Sequence, residues 1–119
     1  TVAMLGLAFK QNTDDMRDSP AIAVVQALTD AGASVVAYDP EAMEQARPLL
    51  PDIGYATGPY EAMAGADALV VVTPWDAFRA LDFVRAKALL NEPVLVDLRN
   101  LYPRDQVEAA GFRYTAVGR

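Results

Sequence analysis

The sequence predicts an α/β domain of the doubly wound kind, a mostly parallel sheet held between two layers of helices. Three observations lead there. Short apolar runs of strand length alternate with helix-length segments whose apolar residues recur every three or four positions. The runs at 68–73 (ALVVVT) and 93–98 (PVLVDL) are apolar almost throughout, the pattern of strands covered on both faces. The longest charged connection, 6–20, leaves the carboxyl end of the first run, where sheets of this kind bind ligands.

Each element has its own reason. Val2 to Leu7 (VAMLGL) is a short buried strand. Ser19 and Pro20 start a helix: the hydroxyl caps free backbone N–H groups, and proline brings a preset φ to the first turn. Ala21, Ile22, Val24, Val25 and Leu28 make its apolar stripe, and Ala31-Gly32 ends it. Ser34 to Tyr38 is a second strand, and Asp39-Pro40 caps a helix running to about Ala46. Pro48 and Pro51 break the chain before a short edge strand around Tyr55. Pro59 to Ala64 is a small helix, and Ala68 to Thr73, the most apolar run, is the central strand. Asp76 to about Leu90 is helical in one or two pieces, followed by a buried strand from Pro93 to Leu98. Arg104 to Ala110 is a short helix stopped by Gly111, and Phe112 to Val117 is the last strand.

Composition narrows the function. The 119 residues suit one domain, with 53% hydrophobic and 22% charged residues. No apolar run is long enough to span a membrane, and the start has no signal-peptide layout, so a cytoplasmic protein is expected. Without cysteine the chain has no disulfide, thiolate metal site or cysteine nucleophile; without histidine it lacks the commonest general base. Ten basic and sixteen acidic residues leave a net charge of −6, which argues against nucleic acid as a partner.

The expected strand order puts the first strand beside Ala68–Thr73 at the switch point of a Rossmann-like sheet. The dinucleotide fingerprint G-x-G-x-x-G is missing there: the chain reads G-L-A-F-K-Q, and only Gly6 fits. Asp39 imitates the acid that binds an NAD ribose, but as a helix cap before Pro40 it needs no ligand. Lys10, directly after the first strand, can meet an anion as a point charge. Arg99 closes a strand two places away, roughly 10 Å across the sheet, so the two long side chains can converge on one diphosphate; otherwise Arg99 pairs with Asp97 or a loop carboxylate. Asp14, Asp15 and Asp18 have no calcium-loop spacing, and with Arg17 bracing one of them they read as a structural network rather than a metal site. Trp75 and Phe78 follow the central strand and either cover a base, meet a neighbouring subunit or pack in the core. Tyr102 is a weaker candidate for the same mouth.

These residues carry a resemblance. G-L-A-F-K-x-x-T-D-D-x-R-x-S-P at Gly6 to Pro20 and Y-D-P at Tyr38 to Pro40 resemble the UDP-binding C-terminal domain of the UDP-glucose/GDP-mannose dehydrogenase family. A-D-A-L-V-V-V-T-x-W-D-x-F at Ala66 to Phe78, D-L-R-N-L-Y at Asp97 to Tyr102 and G-F-x-Y-x-x-V-G-R at Gly111 to Arg119 extend the match over essentially the whole chain. The arginine of D-L-R-N is most similar to the UDP-glucose 6-dehydrogenases, with the GDP-mannose and UDP-N-acetyl-hexosamine enzymes as the alternatives. Members oxidise C6 of a nucleotide sugar to the acid in two NAD-dependent steps through a cysteine adduct. The resemblance implies that Phe9 and Lys10 contact the UDP-sugar and that Arg99 binds it from the other side. It further implies that Thr13, Asp14, Asp15, Arg17 and Trp75 shape the loop and the interface with other domains. Lacking cysteine and an NAD fingerprint, the chain is expected to be an excised domain, inactive alone. NAD then sits on an N-terminal domain, the remaining partners are the other domains of the same enzyme, and the parent is a homodimer or larger. The rival reading is a free-standing, non-catalytic nucleotide-binding module.

Overall fold

The computed structural model describes residues 1–10, 12–17 and 19–117. Among these residues, six strands form one sheet: β1 (Val2–Leu5), β2 (Val35–Tyr38), β3 (Gly54–Tyr55), β4 (Ala68–Val71), β5 (Val94–Asp97) and β6 (Arg113–Ala116). Their order is β3-β2-β1-β4-β5-β6, and all five pairings are parallel, so the sheet is wholly rather than mostly parallel. The register aligns Leu5 with Tyr38 on one side and with Val71 on the other, so β1, β2 and β4 end level. Chain direction across the sheet reverses between β1 and β4. Right-handed crossovers therefore put the helices of the two halves on opposite faces.

The helices are α1 (Pro20–Asp30), α2 (Met43–Ala46), α3 (Pro59–Met63), α4 (Asp76–Arg79), α5 (Phe83–Leu89) and α6 (Arg104–Ala109). Ala21 and Val25 of α1 are buried, with Ile22, Val24 and Leu28 packed beside them. The segment after β4 is broken into two helices because Asp82 caps a new start, its carboxylate accepting from the Val84 and Arg85 amides. The central strands are sealed on both faces: Ala3, Met4, Leu5, Leu69 and Val71 have no exposure.

Two expectations need correction. Most strands stop short of their apolar runs, β1 at Leu5 and β4 at Val71. Gly6 takes φ +102°, turning Leu7 and Ala8 out of the ladder, yet both stay fully buried in the core. The helix expected from Asp39-Pro40 onwards begins only at Met43, because the Asp39 carboxylate first builds a turn by accepting from the Glu41 and Ala42 amides.

Candidate functional site

β1, β2 and β4 end level, and the loop after β1 leaves from that edge of the sheet. Gly6 sits against Thr73, where any Cβ would collide with the threonine side chain and backbone. Thr73, itself fully buried, donates its hydroxyl to Ala8 O at 2.8 Å. Ser19 does two jobs at once: its Oγ accepts from Ala21 N, capping α1, and donates to Leu7 O at 2.5 Å. Phe9 N donates to Asp15 O at 2.9 Å, closing the loop on itself. With the chain pinned before and after them, Phe9 and Lys10 are presented outward. Phe9 is 38% exposed, and Lys10 Nζ stands 5.5 Å from its ring centroid.

Asp39 holds this loop from below. Its Oδ2 accepts from Leu7 N at 2.7 Å, Ala8 N at 3.0 Å and Trp75 Nε1 at 3.1 Å. Its Oδ1 accepts from Glu41 N and Ala42 N, so a fully buried carboxylate is met by five donors. This resolves the ambiguity at Asp39: both oxygens face inward and are saturated, and the residue is no ribose ligand. It also bears on NAD. The amides after the first glycine, which a dinucleotide fold offers to pyrophosphate, already serve an internal carboxylate here, so the β1 turn does not fit NAD. Trp75 is 7% exposed and Phe78 fully buried: the indole braces Asp39, with its remaining surface on a small polar groove, and the phenyl ring packs in the core.

The opposite wall is built by Asp97, the last residue of β5. Its Oδ1 accepts from Arg99 N at 3.0 Å; its Oδ2 accepts from Leu101 N at 2.7 Å, Tyr102 N at 3.1 Å and the Tyr114 hydroxyl at 2.7 Å. Asn100 takes φ +53° to complete the tight loop. Arg99 is thrown back across the sheet, where its Nη1 donates to Val72 O at 3.4 Å. Both walls thus meet at the end of β4: Arg99 on the carbonyl of Val72, and the Phe9–Lys10 loop on the hydroxyl of Thr73. Tyr102 is not at the mouth. It is 2% exposed and donates its hydroxyl to Phe78 O, and burial pushes its phenol well above the usual range.

Beyond Lys10, Asp15 and Arg17 form a bidentate pair, with Arg17 Nη2 on Asp15 Oδ2 at 2.8 Å and Arg17 Nε on Oδ1 at 3.1 Å. Arg17 N also donates to Asp15 Oδ1, and these bonds to Arg17, with a smaller contribution from Lys10, hold the Asp15 carboxyl down at about 2. Thr13 Oγ1 accepts from Asp15 N. Asp14 is exposed, and Asp18 lies outside the described residues. Among the described residues no three carboxylate, histidine or cysteine side chains converge as a metal site would require. A groove on the flank of the loop is lined by Thr13, Asp14, Met16, Arg17, Ile22 and Leu49 among others, away from Lys10 and Arg99. A smaller, more polar groove lies between Asn12, Thr13, Asp14, Glu41 and Trp75. No described helix is long and apolar enough to cross a membrane.

Asp97, Thr73 and Tyr114 support the loops in ways that the local sequence pattern does not indicate, and Ser19, expected only as a helix cap, also holds Leu7 O. The one available signal was a polar residue at the end of a buried apolar run, as in PVLVDL and ALVVVT.

Known proteins are similar to this chain in sequence and fold. The UDP-glucose 6-dehydrogenase of Rhizobium meliloti (strain 1021) is 63% identical over 118 residues, which is 99% of this chain and 27% of that protein. A UDP-glucose dehydrogenase structure from Pyrobaculum islandicum superposes with a TM-score of 0.77 at 33% identity, covering 96% of this chain and 24% of that one. The NDP-N-acetyl-D-galactosaminuronic acid dehydrogenase structure from Methanosarcina mazei Go1 reaches a TM-score of 0.86 at 33% identity, covering 99% and 24%. The chain therefore spans about a quarter of the length of the relatives it matches. The model of the UDP-glucose/GDP-mannose dehydrogenase family, UDP binding domain, matches residues 3–104, more than four-fifths of the chain, and the chain belongs to that family.

Proposed function

We propose that this chain is the UDP-sugar-holding part of a UDP-glucose 6-dehydrogenase, with Lys10 and Arg99 gripping the diphosphate from two sides and Phe9 packing beside it. The observation that carries the reading is the meeting of the two walls at β4: Arg99 on Val72 O and the loop bearing Phe9 and Lys10 on Thr73 Oγ1. An ammonium and a guanidinium at one switch point, in a chain of net charge −6, make a local anion site against the general field. The site lies at the carboxyl ends of parallel strands, where such sheets take ligands. The similarity to UDP-glucose 6-dehydrogenases supports the choice of uridine and of glucose.

In that role the domain binds and orients substrate. NAD supplies the hydride acceptor in the parent enzyme, held by an N-terminal domain, and the nucleophilic cysteine also lies outside this chain, which has none. Thr13, Asp14, Asp15 and Arg17, on the flank of the loop, then face the other domains of the enzyme. The parent works in the cytoplasm as a homodimer or larger assembly.

Titration of the 119-residue chain with UDP, followed by amide chemical shifts and with GDP as control, tests this. UDP should move the amides of Phe9, Lys10 and Arg99, and GDP much less. Equal shifts with both nucleotides would remove the uridine assignment. No shift with either at millimolar concentration would overturn the site.

A further inference from the structure

We propose that Tyr114 is a positioning residue for Arg99, acting through Asp97; the inference rests on the reading of Arg99 as a diphosphate ligand. Arg99 is exposed and long, and a free arginine loses considerable rotamer entropy on binding an anion. Its backbone is not free. Asp97 Oδ1 takes Arg99 N at 3.0 Å and Oδ2 takes the next two available amides, Leu101 N and Tyr102 N. Those bonds, with Asn100 at φ +53°, define the direction in which the Arg99 side chain leaves the loop.

A carboxylate can do this only if it is itself held in one rotamer. The loop 98–103 cannot do that alone, since it would move with the carboxylate. The fixed point comes from the neighbouring strand: Tyr114 on β6 donates its hydroxyl to Asp97 Oδ2 at 2.7 Å, with Tyr102 O at 3.2 Å as the longer alternative acceptor. Tyr114 is well anchored. It is 7% exposed, its carbonyl accepts from Arg104 Nη1 at 3.1 Å, and the Arg104 guanidinium carbon stands 5.1 Å from its ring centroid. The β5–β6 register fixes the strand carrying it, with Leu95 beside Tyr114 and Asp97 beside Ala116. The edge strand farthest from the Lys10 loop in this half of the sheet thereby sets one wall of the anion site.

The test is a double-mutant cycle on UDP affinity in the 119-residue chain, with Tyr114→Phe, Arg99→Ala and the pair. Tyr114→Phe keeps the ring and removes only the hydroxyl. It should weaken UDP about three- to tenfold in the chain that has Arg99, and less than about twofold in the Arg99→Ala background. Equal losses in both backgrounds mean general loosening, and no loss in the first means no positioning; either overturns the proposal while leaving Arg99 as a ligand. If Arg99→Ala itself binds UDP like the parent chain, the diphosphate reading fails and the proposal falls with it. A measurement on the unaltered chain stands should Tyr114→Phe not fold. The amides of Arg99, Leu101 and Tyr102 should be protected from hydrogen exchange without UDP, and free exchange at Arg99 would show that no preset loop exists.

Discussion

Asp39 and Asp97 sit in equivalent places and do different work. Each follows or ends a parallel strand, each is fully buried, and each has both oxygens occupied. The partners differ in reach. Asp39 binds Leu7, Ala8 and Trp75, which are 31 to 36 positions away, as well as the two amides of its own turn. Asp97 binds three amides within five positions, plus Tyr114 at 17. Asp39 thus ties the ends of β1, β2 and β4 into one unit, whereas Asp97 shapes a single loop against one neighbouring strand. The same chemical device serves global stability in one place and local aim in the other.

The largest effect should come from Asp39→Ala. Four amides and an indole N–H would lose their acceptor in a water-excluded site, for a loss of about 4 kcal/mol in urea unfolding. Emission of Trp75, the chain's single tryptophan, should shift with it. A loss below about 1 kcal/mol would show that Asp39 stitches nothing. Gly6→Ala attacks the same half by another route, forcing a Cβ at φ +102° against Thr73; a loss of about 3 kcal/mol in the same assay is expected.

Asp97→Ala should cost about 2 to 3 kcal/mol, because its loop lies nearer to solvent and part of the freed backbone can reach water. The contrast lies in the other readouts. Trp75 emission should keep its wavelength while UDP affinity drops, and a shifted emission would mean that the two nodes are not independent.

The smallest effect belongs to the exposed Asp15–Arg17 pair. The Asp15 pKa falls from 3.8 to about 2 on folding, so the pair's stabilisation is fully present above pH 3.8 and is lost as pH falls through 2. The Asp15 carboxyl carbon and the Arg17 amide, followed by NMR, should titrate together with that midpoint, and high salt should raise it. A midpoint at the ordinary carboxylate value would show that the bidentate geometry is not held in solution.

The elements were legible because their causes are local. An apolar run bounded by turn residues is a strand, and Ser19-Pro20 before an apolar stripe is a helix start, whatever lies across the sheet. The fold class follows from their alternation, and Lys10 and Arg99 are candidates at that level because each closely follows an apolar run. The ambiguity at Asp39 was not resolvable at that level. Tyr38-Asp39-Pro40 is compatible with a ribose ligand or a cap, and the choice depends on Leu7, Ala8 and Trp75, which arrive from β1 and β4. Trp75 and Tyr102 look alike as aromatic residues after a strand, yet burial put both inside.

By itself, then, the sequence determined the αβ alternation, the parallel sheet, the acidic balance and the family, because periodicity and motif are properties of neighbouring residues. Only the tertiary structure decided which donor met which carboxylate, that the β1 turn amides bound Asp39, and that the Tyr114 hydroxyl bound Asp97. The physical reason is that a buried charge takes whatever donors the strand order brings within 3 Å, and strand order is a property of the whole chain.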